Sequence, residues 1–468
     1  MYIFVLSLIF TDEGVHTLLP RHMTTDDFFR ASGSIPSWAA AMSIYATIIS
    51  SVTYLTIPAK AYATDWAYYP MLLTIPLVIP LVSRFYLPYF HKSGCTSAYE
   101  LLEHRFSLPL RWMASALFCI YMVVRIALVL YLPALALSTV ANWDITSCIV
   151  VIAVPTILYS SLGGLRAVIW GDVLQGAALI IGALFSVFFL VTHTQGGFDG
   201  FLSTAMQDNK LRMVDWDTSA TQATWWVILA GGLATNLISY TSDQTIIQRY
   251  ISTRNIAAST KSLWGNAWLY ITSSILFYGI GTGLYTFYST RHLPEMDIDA
   301  VFPYFIVHQL PLPVTIIMVL ALASATMSTV SSCINSLATA FSTDFILRLK
   351  PSTPDGRLLS YARIASFSGG ILGLLLALTM STWHISSLLD YFNTTLGLLT
   401  SGLGSLFFMA VFMPKVKARA AMASFLLGEA VVFAVWLFTP LHFFLYSLIG
   451  LLTSILTGSL LSLQFNLK

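Results

Sequence analysis

An arginine in the middle of an apolar stretch is the first residue that suggests chemistry. Arg125 is the only charged residue between Trp112 and Ala141. A cation at the centre of a bilayer costs roughly 2.5–3.5 kcal/mol on insertion scales unless it faces a cavity or a partner. Its planar fork of donors suits a carboxylate. We therefore expect Arg125 to bind a solute carboxylate or, alternatively, to pair with a buried acid or with helix-end carbonyls.

Two further groups have the chemistry of a cation site. Asp172 stands about one turn inside an apolar stretch, where an acid needs a cation or hydrogen-bond donors, and helix capping is the alternative. Ser328, Ser331 and Ser332 share one helical face. Hydroxyls and free carbonyls suit a hard cation such as sodium. A stripe of small residues is by itself more typical of close helix packing.

Two apolar stretches have polar centres that would interrupt a helix. The first, Ala46–Pro58, contains five serines and threonines and ends in a proline that we expect to end the helix. The second, Thr235–Gln244, includes Asp243 near its end. Broken helices in two oppositely oriented halves are typical of the central site of a secondary transporter. Polar seams between packed helices are the alternative.

The overall composition places these residues in a membrane. Of the 468 residues, 57% are hydrophobic and 9% are charged, whereas soluble domains carry about 25% charged residues. Apolar stretches long enough to cross a bilayer recur along the chain, which indicates a polytopic α-helical membrane protein. The four cysteines lack disulfide or metal-site spacing. No basic run indicates nucleic-acid binding.

Hydropathy and helix-breaking residues predict twelve membrane-spanning helices. Their predicted bounds are 37–58, 67–83, 112–141, 145–162, 167–194, 223–243, 262–289, 311–342, 364–382, 391–413, 420–438 and 441–462. The apolar segment Met1–Phe10 is too short to cross, so we expect a short or truncated N-terminal segment. With this count, 18 of the 23 basic residues fall on one side of the membrane and four on the other. The basic side, which holds the C-terminus, is predicted to be cytoplasmic.

Several motifs together resemble the signature sequences of the solute:sodium symporter family. Gly163–Gln175 and Asp243–Tyr250 resemble the family's signature, and Thr24–Phe29, Ser34–Trp38 and Ile57–Tyr62 resemble its opening. The similarity runs from about Thr24 to Pro414. It implies an all-α, 5+5 inverted-repeat bundle of the leucine-transporter type with broken first and sixth core helices.

This resemblance implies a division of the chain into five parts. These are a short N-terminal segment (1–36), a first inverted repeat (37–194), an extracytoplasmic loop (195–222), a second inverted repeat (223–413) and two accessory C-terminal spans (414–468). A monomer in the plasma (cell inner) membrane is expected.

The resemblance also implies two sodium sites. The main site corresponds to the carbonyls of Ala46, Ile49 and Ala325 and the hydroxyls of Ser328 and Thr329. A second sodium site, which some members of the family have, corresponds to Asp172 with the hydroxyls of Ser328, Ser331 and Ser332.

The solute site is similar to that of the sialic-acid-type branch of the family. In that branch an arginine corresponding to Arg125 binds the substrate carboxylate. Ser50 and Thr53 match hydroxyl contacts of the branch, and Tyr68 replaces an aromatic residue. Asp243 stands where the sugar-transporting branch has a substrate amide, and a role at the helix end is the alternative. Ile48 and Leu72 depart from the branch by replacing a hydroxyl and an amide, which favours a less hydroxylated acid.

These residues predict a sodium-coupled importer of a carboxylate-bearing solute, either sialic acid or a related sugar acid or monocarboxylate. A symporter of a neutral sugar or polyol is the alternative. An intramembrane enzyme is disfavoured because the nine histidines form no HExxH motif and the acids are not paired. Arg125 would impede a cation pore, so a channel is disfavoured as well.

Overall fold

Helices dominate the structure because a chain inside a bilayer must satisfy its backbone hydrogen bonds locally. The computed structural model describes residues 23–141, 143–383 and 387–466, and across these ranges the only β-structure is an isolated bridge between Ile35 and Thr253. In chain order the helices are α1 (Thr25–Arg30), α2 (Ser37–Ile48), α3 (Ser51–Ala63), α4 (Tyr69–Ser93), α5 (Glu100–Arg105), α6 (Leu108–Ala141), α7 (Ile145–His193), α8 (Gly197–Gln207), α9 (Trp225–Ser242), α10 (Gln244–Ile251), α11 (Ile256–Tyr288), α12 (Val301–His308), α13 (Leu312–Leu349), α14 (Asp355–Met380), α15 (Leu388–Phe412), α16 (Ala418–Phe438) and α17 (Phe444–Asn466).

The predicted number of membrane crossings agrees with these helices. Nine helices of the described ranges are long and apolar enough to cross, or ten with the bent pair α2 and α3. Helix α7 has 49 residues and contains Gly164 at φ 61° and ψ −173°, which breaks it. At 1.5 Å per residue it is about twice as long as a bilayer is thick, so its halves cross separately. Adding the shorter, more polar α9 gives the twelve predicted crossings.

The ends of several helices differ from the prediction. Helix α14 begins at Asp355 rather than at 364, and α6 begins at Leu108 rather than at 112. Hydropathy omits these first turns because they carry charge, as in Arg111 and Arg357. The segment Met1–Phe10 lies outside the described residues.

Both predicted helix breaks are present. Helices α2 and α3 meet at an angle of 59°, and the break lies at Ile49 and Ser50, whose side chain caps α3. Helix α9 ends at Ser242, and Asp243 caps α10 by accepting a hydrogen bond from the Thr245 N–H at 2.8 Å.

The expectation that Pro58 ends the first broken helix is wrong. Helix α3 continues through Pro58 to Ala63. It packs along α11, where Gly281 lets the backbone approach closely, since a Cβ there would lie 2.4 Å from the Pro58 carbonyl oxygen. This packing stabilises the helical conformation at Pro58, although proline donates no backbone hydrogen bond.

The site is enclosed by a small set of packed helices. Helix α7 packs against α13, α2 and α11, and α13 packs against α6 and α14. Helices α16 and α17 pack against α15 and against each other, and α17 also contacts α9. The breaks in α2–α3 and α9–α10 therefore lie inside the bundle, where freed backbone groups are shielded from lipid.

Candidate functional site

A cavity of about 130 Å³ lies between the two broken helices. Its walls come from both broken helices, α2–α3 and α9–α10, and from α4, α6, α11, α15 and α17. The side chains in its lining that carry a polar group are Thr53, Tyr68, Tyr121, Arg125, Thr235, Asn236, Ser239, Tyr240, Asp243, Tyr270, Tyr278 and Asn393, and apolar side chains form the rest. Mostly apolar walls with a few polar groups are typical of a small-molecule site.

Arg125 projects from α6 into this cavity and bridges the two breaks. One guanidinium nitrogen, Nη2, donates to the Thr47 carbonyl at the end of α2 at 3.1 Å. The other, Nη1, lies 3.4 Å from Asp243 Oδ2, which is long for a charge-assisted hydrogen bond. Its Nε is buried and has no hydrogen-bond partner among the described residues. The sequence analysis gave three alternatives for Arg125: a solute site, an acid partner or helix-end carbonyls. In the structure Arg125 lines the cavity and also contacts an acid and a helix-end carbonyl.

The other residues predicted for the solute lie at different places. Thr53 and Tyr68 line the cavity. Ser50 does not, because its hydroxyl caps α3 and accepts from the Thr53 N–H at 3.4 Å. Ile48 and Leu72 are part of the cavity wall, so the departures noted in the sequence lie beside the site.

Sequence reasoning missed Tyr121 as a cavity residue. Tyr121 lies one helical turn before Arg125 on α6, and its buried hydroxyl has no partner within the described part of the chain. The i, i+4 spacing from Arg125 was the available signal. Asn393 was missed too, because single polar residues in apolar spans are common, whereas Asn236 and Ser239 lie in the polar stretch Thr235–Gln244 but were not named individually.

The residues predicted for the main sodium site come from the break in α2–α3 and from α13. Ala46, Ile49 and Ala325 are fully buried. The Ser328 hydroxyl donates to the Ala46 carbonyl at 3.2 Å, so the two elements meet here. The Thr329 hydroxyl is buried without a hydrogen-bond partner in the described ranges. A buried unpaired hydroxyl beside freed carbonyls fits a hard-cation site.

The residues predicted for the second sodium site also meet, but with an additional cation. Asp172 is fully buried and accepts from the Ser43 and Ser328 hydroxyls, both at 2.5 Å. Arg249 of α10 lies 3.2 Å from the same carboxylate and also donates to the Ser332 hydroxyl. Capping does not explain Asp172, because α7 continues on both sides of it.

Ser328 connects the two predicted sodium sites. It contacts both the Ala46 carbonyl and Asp172, while the Ser331 hydroxyl donates to the Ser328 carbonyl at 2.9 Å. Arg249 was not singled out from the sequence because its pairing with Asp172 joins segments 77 residues apart.

Polar groups close the bundle above and below the cavity. On the side predicted to be extracytoplasmic, Lys60 Nζ lies 3.1 Å from Asp390 Oδ2, and the Tyr68 hydroxyl lies 3.5 Å from Asp390 and 3.4 Å from His442. On the opposite side, the Gln248 amide donates to the Phe29 carbonyl and to side chains of α13. A path from the cavity to either side of the membrane therefore opens only when the contacts on that side separate.

Known proteins share this sequence and this fold. The family model described as Sodium:solute symporter family matches residues 28–428. The chain is 33% identical over 445 residues to the sodium/sialic acid symporter SiaT of Proteus mirabilis, an alignment that covers 94% of this chain and 90% of that protein. It is 31% identical over 422 residues to the sodium-coupled monocarboxylate transporter 1 of Mus musculus, covering 87% and 67%.

Solved structures agree with the helix arrangement. A substrate-bound, outward-open structure of a Na+-coupled sialic acid symporter superposes with a TM-score of 0.92 at 31% identity, covering 98% of this chain and 96% of that one. A nucleobase-cation-symport-1 family transporter superposes at 0.61 with 15% identity, covering 94% of each chain, and shares the fold. The predicted transporter fold is confirmed. With a match over most of its length, the chain belongs to the sodium:solute symporter family, and sodium is its coupling ion.

Proposed function

We propose that this symporter imports a small carboxylate-bearing solute, either sialic acid or a related sugar acid or monocarboxylate. The observation that carries the proposal is Arg125, a cation in the central cavity whose hydrogen-bonding capacity is incompletely used. Its relatives transport sialic acid or monocarboxylates according to their names. We further propose that the chain works as a monomer in the plasma membrane with its C-terminus in the cytoplasm.

The geometry around Arg125 favours an anionic group. The N-terminus of α3 begins at the break beside the cavity, and the N-terminal end of a helix carries partial positive charge. A carboxylate that reaches Arg125 would accept a hydrogen bond from Nη1 in place of the 3.4 Å contact with Asp243. Thr53, Asn236 and Ser239 offer hydrogen bonds to the remainder of a polar solute.

Sodium would couple to this event through α13. Bound by the predicted oxygens of Ala46, Ile49, Ala325, Ser328 and Thr329, a sodium ion would join the broken α2–α3 segment to α13. Thr47 and Thr53 of the same segment lie beside the solute site. Sodium binding would therefore order the solute site, and solute would raise sodium affinity by the same factor.

The experiment that tests the proposal is sodium-dependent thermal stabilisation of the purified protein. The panel comprises N-acetylneuraminate, other sugar acids, lactate and glucose, measured in sodium and in choline chloride. We expect the stabilisation by acids to require sodium and to disappear in Arg125→Ala. Arg125→Lys is the matched variant, because it keeps the charge and loses the planar fork.

The outcomes of this panel distinguish an acidic solute from a neutral sugar. Sodium-dependent stabilisation by acids in the wild type, weakened in Arg125→Lys and lost in Arg125→Ala, supports the carboxylate proposal. Stabilisation by glucose that is kept in Arg125→Ala would instead identify a symporter of neutral sugars. In that case Arg125 would only hold the two broken helices together.

A further inference from the structure

Glu429 is a partly buried acid that the transport mechanism described above does not use. It lies near the middle of α16, beside the buried residues Phe425, Gly428 and Val432 of the same helix. Its Oε1 accepts a hydrogen bond from the Gly402 N–H of α15 at 2.9 Å. A Cβ at position 402 would lie 2.5 Å from this oxygen, so the approach requires glycine.

The second carboxyl oxygen of Glu429 has no partner. Oε2 is buried, and neither a hydrogen bond nor a salt bridge reaches it from the described residues. The other titratable or charged groups of the three packed helices lie toward the helix ends. They are Asp390 and Tyr391 in α15, Arg419 in α16 and Tyr446 in α17. Hence no cation faces the carboxyl to balance a negative charge.

Two serine side chains of the neighbouring helices pack against this part of α16. Ser401 precedes Gly402 and lies beside the Glu429 carboxyl, and Ser454 of α17 packs against Gly428. Both serines are fully buried. A buried polar group normally has a partner, so the unpaired Oε2 of Glu429 indicates a bound species that satisfies it.

We propose that Glu429 is a proton-binding site between α15 and α16. The carboxylate takes up one proton from water on Oε2 and becomes a neutral acid. The new O–H donates to the Ser401 hydroxyl, while Oε1 keeps its hydrogen bond from Gly402. A proton fits better than sodium, because a sodium ion needs about five or six oxygens and the carboxyl and two serines provide fewer.

The bound proton has a consequence for the transport site because α15 also lines the cavity. Leu389, Phe392, Asn393 and Leu396 of α15 lie in the cavity wall, and Asp390 pairs with Lys60. The neutral carboxyl anchors α15 to α16 at Gly402, about two to four turns from the residues of this wall. Loss of the proton would place an unbalanced charge between the helices and weaken that anchor.

Infrared difference spectroscopy of the purified protein tests this inference without depending on the transported solute. The spectrum of Glu429→Gln is subtracted from that of the wild type at neutral pH in the same detergent. Glutamine keeps the acceptor for Gly402 and removes the titratable group. We expect the difference to contain the C=O stretching band of a protonated carboxylic acid.

A second variant covers the case in which Glu429→Gln does not fold. Ser401→Ala keeps the acid and removes its acceptor, so the band of the protonated acid should move to higher frequency relative to the wild type. Carboxylate bands in place of the protonated-acid band in the first difference would overturn the inference. An unmoved spectrum in Ser401→Ala would overturn the assigned acceptor. Neither result bears on the Arg125 proposal.

Discussion

At the scale of single residues, the contact between Arg125 and Asp243 decides how strongly the cavity attracts an anion. Asp243 has two roles, since one oxygen caps α10 and the other lies 3.4 Å from Arg125. Asparagine also caps helices well. Asp243→Asn should therefore keep α10 and remove the competing negative charge.

We predict that Asp243→Asn binds a carboxylate solute several-fold more tightly than the wild type at saturating sodium. One charge-assisted hydrogen bond is worth roughly 1.5–3 kcal/mol, and only part of it is present at this distance. Isothermal titration with the acid found in the thermal panel measures the change. A large loss of affinity would mean that the Asp243 side chain binds the solute itself.

A second prediction at this scale concerns Asp172. If the carboxylate binds a second sodium ion, Asp172→Asn should lower the Hill coefficient for sodium toward one, measured as sodium-dependent solute binding. The same change leaves Arg249 buried without a counter-charge, and breaking a buried pair costs roughly 3–5 kcal/mol. A lower melting temperature is therefore expected in either case.

The double variant Asp172→Asn/Arg249→Gln is the matched control for that cost. It removes both charges and should recover part of the lost stability. An unchanged Hill coefficient in both variants would assign Asp172 to the structural ion pair with Arg249 alone.

At the scale of elements, the sequence predicted the helices well and their contacts poorly. Runs of serine and threonine identified both breaks, because such residues compete with helical hydrogen bonds. Gly164 was correctly placed in a connection. Pro58 was misjudged because its helix is held by packing against α11, and packing between distant segments is not visible in local patterns.

The same limit applies to the site. Arg125 was found because one charge in a long apolar span is conspicuous. Arg249 was overlooked because its importance depends on Asp172, which another helix brings to it. Ser50 was expected to face the solute, but helix α3 begins immediately after it and uses its hydroxyl as a cap.

A prediction at the element scale concerns the connection between α16 and α17. This connection places His442 against Tyr68, and burial lowers the pKa of His442 to about 4. The imidazole is therefore neutral in the folded protein near neutral pH. The unfolded chain takes up a proton near pH 6.5, so stability should fall as the pH decreases from about 6.5 toward 4.

We expect His442 to account for roughly 1–3 kcal/mol of this loss, since each pKa unit corresponds to about 1.4 kcal/mol. His442→Gln has no titratable ring at this position. The difference in unfolding free energy between wild type and variant should change over this pH range and be constant above it. Parallel stability profiles throughout would show that His442 is not held neutral.

At the scale of the whole molecule, the proposed mechanism links sodium binding to the solute cavity through the packing of α2–α3 on α13. Thr329 offers a direct test, because its buried hydroxyl has no partner among the groups the structure describes. Removing an unpaired hydroxyl should not weaken the fold in the absence of sodium. A hydroxyl that only packs between helices would also have no effect when sodium is present.

We predict that Thr329→Ala melts like the wild type in choline chloride but needs about tenfold more sodium for the same stabilisation. One lost ligand costs on the order of 1–2 kcal/mol, and 1.4 kcal/mol is a factor of ten. Thr326→Ala is the matched control, because Thr326 is equally buried on α13 and its hydroxyl donates within the helix to Leu322 at 3.0 Å. Since coupling is reciprocal, solute affinity at low sodium should fall with sodium affinity in Thr329→Ala and recover at saturating sodium. Equal sodium titrations for the two variants would remove Thr329 from the sodium site and leave α13 as a packing helix.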